Sequence, residues 1–346
     1  MGRERDAQAL IVKPCWRDAH GVAVGQPGPT TNQPQFQVSH MGLTLLEAAK
    51  SEQDPGRLAV IRELSEGELL GSIPFKNIDG EGVFYDKEGE LPGVGFRGIN
   101  ETLDASYGVL NPQAEKLKIF GAEIDVDTAI LDMRGGQAKA DQIQMKVRSL
   151  RLTFEDQFIN GDESVNPRAF DGLKRRINIG SSQAISAGGA LSLGLLDELI
   201  DAVDAAGGQK VLIMNQKMRR RISAAQRATG IGGFTTFEPD QFGRRVQYYG
   251  EVPILTTKVN AANALIQPFT ETGSSTSIYC VAFGDLLTTA LQGKARGQYG
   301  ISIRELGEVS DAPVDRTRIE WYVAAAVFNG RSAGRVYGVT DAAVTA

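Results

Sequence analysis

Histidine occurs only at positions 20 and 40, so the stretch from Met41 to Ala346 has none. A Ser-His-Asp triad, a Cys-His dyad and an HExxH metal site therefore cannot be built in the body of the chain. Cysteine also occurs twice, at Cys15 and Cys280, without a CxxC pair, which leaves no material for a disulfide framework or a thiolate zinc site. Aromatic residues make up 7%, a thin supply for stacking on sugars or bases. No apolar run approaches the ~18 residues of a membrane span; the longest late stretch is Tyr322 to Phe328. Excess positive charge is missing too. Lys+Arg is 37 against 42 Asp+Glu, a net −5, which excludes a histone-like or polybasic nucleic-acid binder.

Glycine is plentiful, 40 of 346 residues, against an average of about 7%. It follows no period, so it signals turns, hairpins and extended loops. Residues 1–40 read differently from the rest. Gly21 to His40 is polar, rich in Pro and Gly and without periodicity, which is linker composition. At Met41 the text changes, and Thr44-Leu45-Leu46-Glu47 has the capping-box pattern of a helix start. Residues 1–40 are expected to be a disordered leader or a start-site artefact, with a folded element as the third reading.

Leu45, Leu46 and Ala49, then Leu58, Ile61 and Leu64, mark two short amphipathic helices around Asp54-Pro55-Gly56. Ser72 to Ile99 is expected to form a long hairpin with a charged tip at Asp86-Lys87-Glu88-Gly89-Glu90. Ile119, Ala122, Ile124 and Val126 give strand alternation. The strongest helix signal is residues 137–159. Ile143, Val147, Leu150, Phe154 and Phe158 form one apolar stripe there, and Met145, Leu152 and Ile159 a second. Arg148, Arg151 and Asp156 are left for solvent or partners. Further on, the pattern predicts a helix over 193–206, a buried strand over 210–215 and a basic helix over 217–229. It also predicts a Gly-rich loop over 231–239, a hairpin about Gly250 and strands at 277–283, 299–306 and 318–329. The class is α+β, without a regular βαβ rhythm.

No candidate site outweighs its bland alternative. Leu291-Gln292-Gly293-Lys294-Ala295 fails as a P-loop, because Ala295 replaces the hydroxyl and Thr288 stands where the first Gly belongs. Gly230 to Gly233 lacks the spacing of a dinucleotide loop. Arg219-Arg220-Arg221 and Lys174-Arg175-Arg176 read as solvated or partner-facing helix surfaces. Asp125 and Asp127 share one strand face and could do acid/base work or bind a cation, but a polar outward face is the stronger reading. Cys280 is expected to be a small buried hydrophobe. No catalytic, cofactor-binding or metal residue is assigned, and no cofactor.

The order of elements then carries a resemblance. A capped arm, a long hairpin, strands and a long two-striped helix come first. FINGDESVNPRAFDGLKRRI follows, then KVLIMNQKMRRRI, VQYYGEVPILTT and SIYCVAFGDL. Over about 305 residues from Met41, this resembles the major capsid protein of tailed bacteriophages with the Hong Kong 97-like fold. The matching texts are Asn160-Gly161-Asp162, Phe170 to Leu173, Leu212 to Asn215, Gly250 to Pro253 and Phe283-Gly284-Asp285.

The resemblance implies an N-terminal arm over 41–71 and an E-loop region over 72–116. A P-domain over 117–190 holds the spine helix, an A-domain follows over 191–270, and P-domain return strands occupy 271–346. It implies a non-enzymatic protein that assembles with itself as pentamers and hexamers into an icosahedral head shell around double-stranded DNA. Such a shell is made in the host cytoplasm and resides in the virion, without a membrane. Scaffolding, portal and decoration proteins are the further partners it suggests. Expected assembly contacts are Phe84, Lys87, Leu91, Phe96, Arg148, Arg151 and Arg220. Some relatives join the E-loop to a neighbour through a Lys–Asn isopeptide bond. Lys87 lies at the corresponding place, but no Asn or Glu partner is identified and no cross-link is predicted. The rivals are an encapsulin, which has the same fold around protein cargo, and a histidine-free carboxylate enzyme.

Overall fold

A computed structural model describes residues 67–229, 234–239 and 245–345. The leader, the two helices between Leu45 and Leu64, most of the N-terminal arm and the Gly230–Gly233 segment lie outside the described residues. The first described elements are β1 (Phe75–Asn77), β2 (Gly82–Glu90), β3 (Val109–Lys116) and β4 (Lys118–Asp127). Helices α1 (Thr128–Arg134), α2 (Gln137–Asn160) and α3 (Leu173–Arg176) follow. Next come β5 (Ala184–Ser186), α4 (Leu193–Ala202), β6 (Gln209–Asn215) and α5 (Gln216–Thr229). The chain continues with β7 (Thr235–Pro239), β8 (Arg245–Tyr249), β9 (Val252–Thr257) and β10 (Ser275–Phe283). It closes with β11 (Thr288–Gln292), β12 (Lys294–Ala295), β13 (Gln298–Tyr299), β14 (Ser302–Val309), β15 (Ala312–Val327) and β16 (Ala333–Thr340).

One mixed sheet runs β14-β15-β11-β10-β6-β9-β8-β7, with β1, β4, β5 and β16 joined off that path. Strand β10 sits at its centre and is buried along its whole length. Period-2 alternation divides its side chains between two cores. Tyr279, Val281 and Phe283 join the core that contains Phe154, while Ile278, Cys280 and Ala282 join the one that contains Leu199 and Met218. Strand β6 does the same, with Val211 and Ile213 on one side and Leu212 and Met214 on the other. Strands buried on both faces read as unbroken apolar runs, which is why 210–215 and 277–283 are legible in the sequence.

Helix α2 falls on the long helix expected over 137–159. All five residues of its first stripe are buried, and Phe154 touches Phe75, Phe158, Phe170 and Trp321. The second line is only partly covered. Ile159 is buried, but Met145 is 55% exposed, because α3 and the 161–172 loop cover only the later turns of the helix. Arg151 is also corrected. It is buried, because it follows Val147 by one turn and so lies at the margin of the apolar stripe, not on the solvent face. Asp156 accepts from Asn160 Nδ2 at 2.8 Å and Asn260 Nδ2 at 3.1 Å.

Other differences have local causes. The helix expected over 193–206 stops at Ala202, before the left-handed turn at Ala206 and Gly207. Part of the expected Gly-rich loop is strand β7, paired with β8. The hairpin is longer than expected and differently placed. Phe75–Asn77 belongs to the main sheet, paired with β11. The supposed tip at Asp86 to Glu90 is itself strand, and its partner is Val109–Lys116 rather than residues 94–99.

Candidate assembly surface

The β2–β3 ribbon forms a two-stranded sheet of its own, and residues 91–108 form the loop at its far end. On β2, Val83, Tyr85 and Lys87 turn toward the body and Phe84 and Asp86 turn away. Nearly every large apolar side chain beyond the base is in water. Phe84, Leu91, Val94, Phe96, Ile99, Leu103, Tyr107 and Leu110 are all exposed, Phe96 completely so. A single subunit does not cover them. Apolar exposure of this kind on one projecting element marks an association surface, and an isolated two-stranded ribbon is marginal in water.

The base of the ribbon is polar and well anchored. Leu117 N donates to Glu81 O at 2.8 Å, closing the ribbon. Arg176 at the end of α3 grips Glu115 of β3 with both nitrogens of its fork, at 2.5 and 2.8 Å. The same guanidinium donates to Ala325 O at 2.8 Å and to Asp171 O at 2.9 Å. Tyr85 stacks edge-on against Phe328, with centroids 4.7 Å apart, and its hydroxyl lies 3.2 Å from both Glu115 Oε1 and Val327 O. Burial, then the Glu115 charge, pushes the Tyr85 phenol up to about 12. Burial pulls Arg176 down, but its bond to Glu115 and that group's charge outweigh this and hold it above the ordinary range. Lys87 lies 5.8 Å from the Tyr85 ring centroid; burial, and then Arg176, lower its pKa.

The expected contact residues thus fall into separate groups. Phe84, Leu91 and Phe96 lie together on the ribbon and its loop. Lys87 is on the body-facing side of the ribbon, not on a free tip, because it shares the parity of Tyr85. Arg148 and Arg220 are exposed on α2 and α5, far apart in the chain and on different elements. Arg151 is buried and is withdrawn as a contact. Leu103, Tyr107 and Leu110 went unnoticed, as did the Glu115–Arg176 pair. Isolated apolar residues in a Gly-rich loop carry no period, and a pair 61 positions apart leaves no local signal.

The charged groups weighed as chemistry serve the fold. Asp125 is held bidentately by Arg316, at 2.7 Å for both bonds; the pairing with Arg316 lowers its carboxyl pKa. Asp127 caps α1 by accepting from Ala129 N at 2.8 Å. Lys174 and Arg175 pair with Glu271 and Asp162 at 3.2 and 3.6 Å yet stay about half exposed, so of this triplet only Arg176 is an internal clamp. Arg221 and Lys217 both pair with Asp341. Cys280 is buried, and burial pushes its thiol up to about 12. A recess of 350 Å³ between α2 and residues 265–279 is lined by Asn160, Lys174, Glu271 and Tyr279. Arg335 donates to its lining residues Glu271 at 2.8 Å and Ser277 Oγ at 3.0 Å, and to Ile177 O at 3.0 Å. Among the described residues no group of three or more His, Cys, Asp or Glu is placed to hold a metal ion, and no helix is long and apolar enough to cross a membrane.

Residues 115–266 match the family model of the SU10 major capsid protein. No curated protein sequence matches the chain. Solved structures do. The SrpI encapsulin of Synechococcus elongatus PCC 7942, seen as a holo complex, superposes with a TM-score of 0.60 at 17% identity, covering 82% of this chain and 91% of that one. The capsid of a native GTA particle gives 0.55 at 15% identity, covering 81% and 90%. A chain of Mycobacterium phage Adephagia gives 0.54 at 11% identity, covering 78% and 89%. The fold is the Hong Kong 97-like capsid fold, and the α+β class expected from the sequence is borne out.

Proposed function

We propose that this Hong Kong 97-like capsid protein assembles through pentamers and hexamers into the icosahedral head shell of a tailed phage, enclosing double-stranded DNA. The observation that carries the reading is the capsid-family match. It starts at Glu115, at the base of the ribbon, and runs through α2, α4 and α5 to Ile266, just beyond β9. The exposed apolar ribbon supplies the physical motive. Shell subunits need large heterologous contacts repeated around closed symmetry axes, and obligate interfaces bury roughly 2,000–5,000 Å². A neighbouring copy is the natural cover for Phe84, Leu91, Phe96 and Tyr107. The net charge of −5 suits a container, since a strongly basic wall would hold DNA tightly. The role is structural rather than catalytic, and the protein resides in the virion capsid after assembly in the host cytoplasm. Scaffolding, portal and decoration proteins are its further partners.

The encapsulin reading stays open as the second, favoured by the 0.60 superposition on SrpI. Sedimentation and negative-stain microscopy of the purified protein test both. Shells or capsomers far above 37.2 kDa are expected, and a stable monomer at every salt and protein concentration overturns both readings. The contents of particles from the native host, after nuclease treatment, separate them: protected DNA for a phage head, protein cargo for an encapsulin.

A further inference from the structure

Among the described residues the ribbon's polar bonds to the body lie at its base. Among the described residues, none from Gly89 to Ala114 makes a hydrogen bond or ion pair outside the hairpin. The bonds of Arg97, Gly98 and Ser106 all close within the loop. The chain enters the ribbon through Asp79-Gly80-Glu81, with Gly80 at φ +109 and open space where a side chain would stand. That backbone, left alone, would let the ribbon swing. At the entry Asp79 accepts from Lys294 and Tyr299, and Val83 and Leu117 pack on the core; beyond these, the groups opposing a swing are Tyr85 and Glu115 on the ribbon, and Arg176, Phe328 and the carbonyls of Ala325 and Val327 on the body.

We propose that Glu115, Arg176 and Tyr85 form a polar lock that sets the angle at which the β2–β3 ribbon leaves the subunit. A purely apolar base could slide, because such contacts are non-directional. A guanidinium fork gripping a carboxylate has fixed planar geometry. Arg176 uses its remaining donors on two body carbonyls, so the fork is oriented before the ribbon meets it. Tyr85 ties the same carboxylate to Val327 O. From Tyr85 to Glu90 the strand extends ~17 Å at roughly 3.3 Å per residue, so a small rotation at the base is magnified at the apolar loop. Glu115, Arg176 and Tyr85 are positioning residues: they orient the contact surface without being part of it. The inference rests on the reading that the ribbon contacts a neighbouring copy.

Spin labels on the unassembled full-length subunit test the lock directly. The labels go on Asp104→Cys in the loop and Asp201→Cys on α4, in a Cys15→Ser background, with the buried Cys280 retained. The parent should give one narrow distance distribution. Glu115→Gln should lose it and give a broad one, and Tyr85→Phe should shift or broaden it with little change in melting. Should Glu115→Gln fail to fold, Tyr85→Phe carries the test, since it removes only a hydroxyl. Distributions unchanged from the parent in both Tyr85→Phe and Glu115→Gln overturn the lock. Phe84→Ser keeps the two hypotheses apart. It should leave the distance unchanged while weakening shell formation, and if shells form normally the contact reading fails whatever the labels report.

Discussion

The rings of Phe154 on α2 and Trp321 on β15 lie 5.0 Å apart at an interplanar angle of 38°. The pair joins the spine helix to the longest strand, which also carries β4, β11 and β14. Phe75 completes the cluster, 5.4 Å from Trp321 and 6.0 Å from Phe154. The cluster thereby fastens β1, which leads directly into the ribbon.

Phe154 is wholly buried. Phe154→Ala should cost about 3–5 kcal/mol, the usual range for removing a packed ring, read from urea denaturation of the subunit. Phe154→Asp should give no soluble folded protein, because an unpaired carboxylate would enter an apolar cluster. Soluble, cooperatively unfolding Phe154→Asp would mean that the stripe is not core.

Arg335 is 2% exposed and serves Glu271, Ser277 and two backbone carbonyls. Removing one member of a buried pair costs about 3–5 kcal/mol when the other is left unpaired. In Arg335→Met the carboxylate of Glu271 still faces Lys174, 3.2 Å away, so the loss should fall below that range. Arg335→Met with Glu271→Leu should recover part of the loss, since the buried carboxylate is then gone as well. Additive losses in the double variant, measured by denaturation, would show that the two residues act independently.

What could be read from the sequence follows from how each element is buried. The spine stripe from Ile143 to Phe158 has one covered side, so its 3.6-residue period is plain. Strands β6 and β10 are covered on both faces and read as apolar runs. The return arm of the ribbon, VLNPQAEK, has no such signal, because its burial pattern is almost entirely exposed and Pro112 interrupts it. The charged run from Asp86 to Glu90 therefore reads as the tip, although the strand runs through it to Glu90. Arg151 was misplaced for a related reason. A charged residue was assigned to solvent by type, while its helical position put it beside the stripe. The lock was invisible because it depends on β3 and α3 meeting across 61 positions of chain.

Glu155 provides a pH test. Burial raises its carboxyl pKa, with Glu68 adding to the shift and Arg151 and Lys258 opposing it. A Cβ on Gly67 would fall 2.5 Å from Glu155 Oε1, so that carboxylate is tightly enclosed. The folded protein keeps this proton to higher pH than the unfolded chain does. As pH rises from about 4.3, the ordinary glutamate value, the unfolded chain binds fewer protons and stability falls until the folded-state pKa is passed. Glu155→Gln should remove that fall, so the variant gains on the parent as pH rises above the ordinary glutamate range. Glu68 acts on the other side of the ordinary value. Burial raises its pKa, but the bonds from Thr256 and the charge of Lys258 outweigh this and lower it. Its contribution is lost only as pH falls below the ordinary range. Parallel denaturation-midpoint curves for Glu155→Gln and the parent would refute the assignment to Glu155.

The loop is the sharpest test of what the ribbon is for. Glu90 and Val109 are cross-strand neighbours, so residues 91–108 can be replaced by a short Gly-Ser turn without breaking the β2–β3 ladder. A wider cut over 79–95 would remove β2 itself and the bonds from Asp79 to Lys294 and Tyr299, at 2.7 and 2.9 Å. Any failure to assemble would then have two explanations. The narrow replacement deletes Leu91, Val94, Phe96, Ile99, Leu103 and Tyr107, all exposed in the subunit, and touches neither core cluster. The shortened subunit should stay soluble, keep its circular dichroism and unfold at the parent's urea midpoint. Losing so much exposed apolar surface should also make it less prone to aggregate. Closed shells should be absent or fall apart on dilution. An unfolded product would mean that the loop supports the body through contacts formed within one subunit. Shells of normal stability would mean that the apolar loop covers nothing, and the surface that joins one copy to the next would have to be sought at Arg148 on the spine or Arg220 on α5.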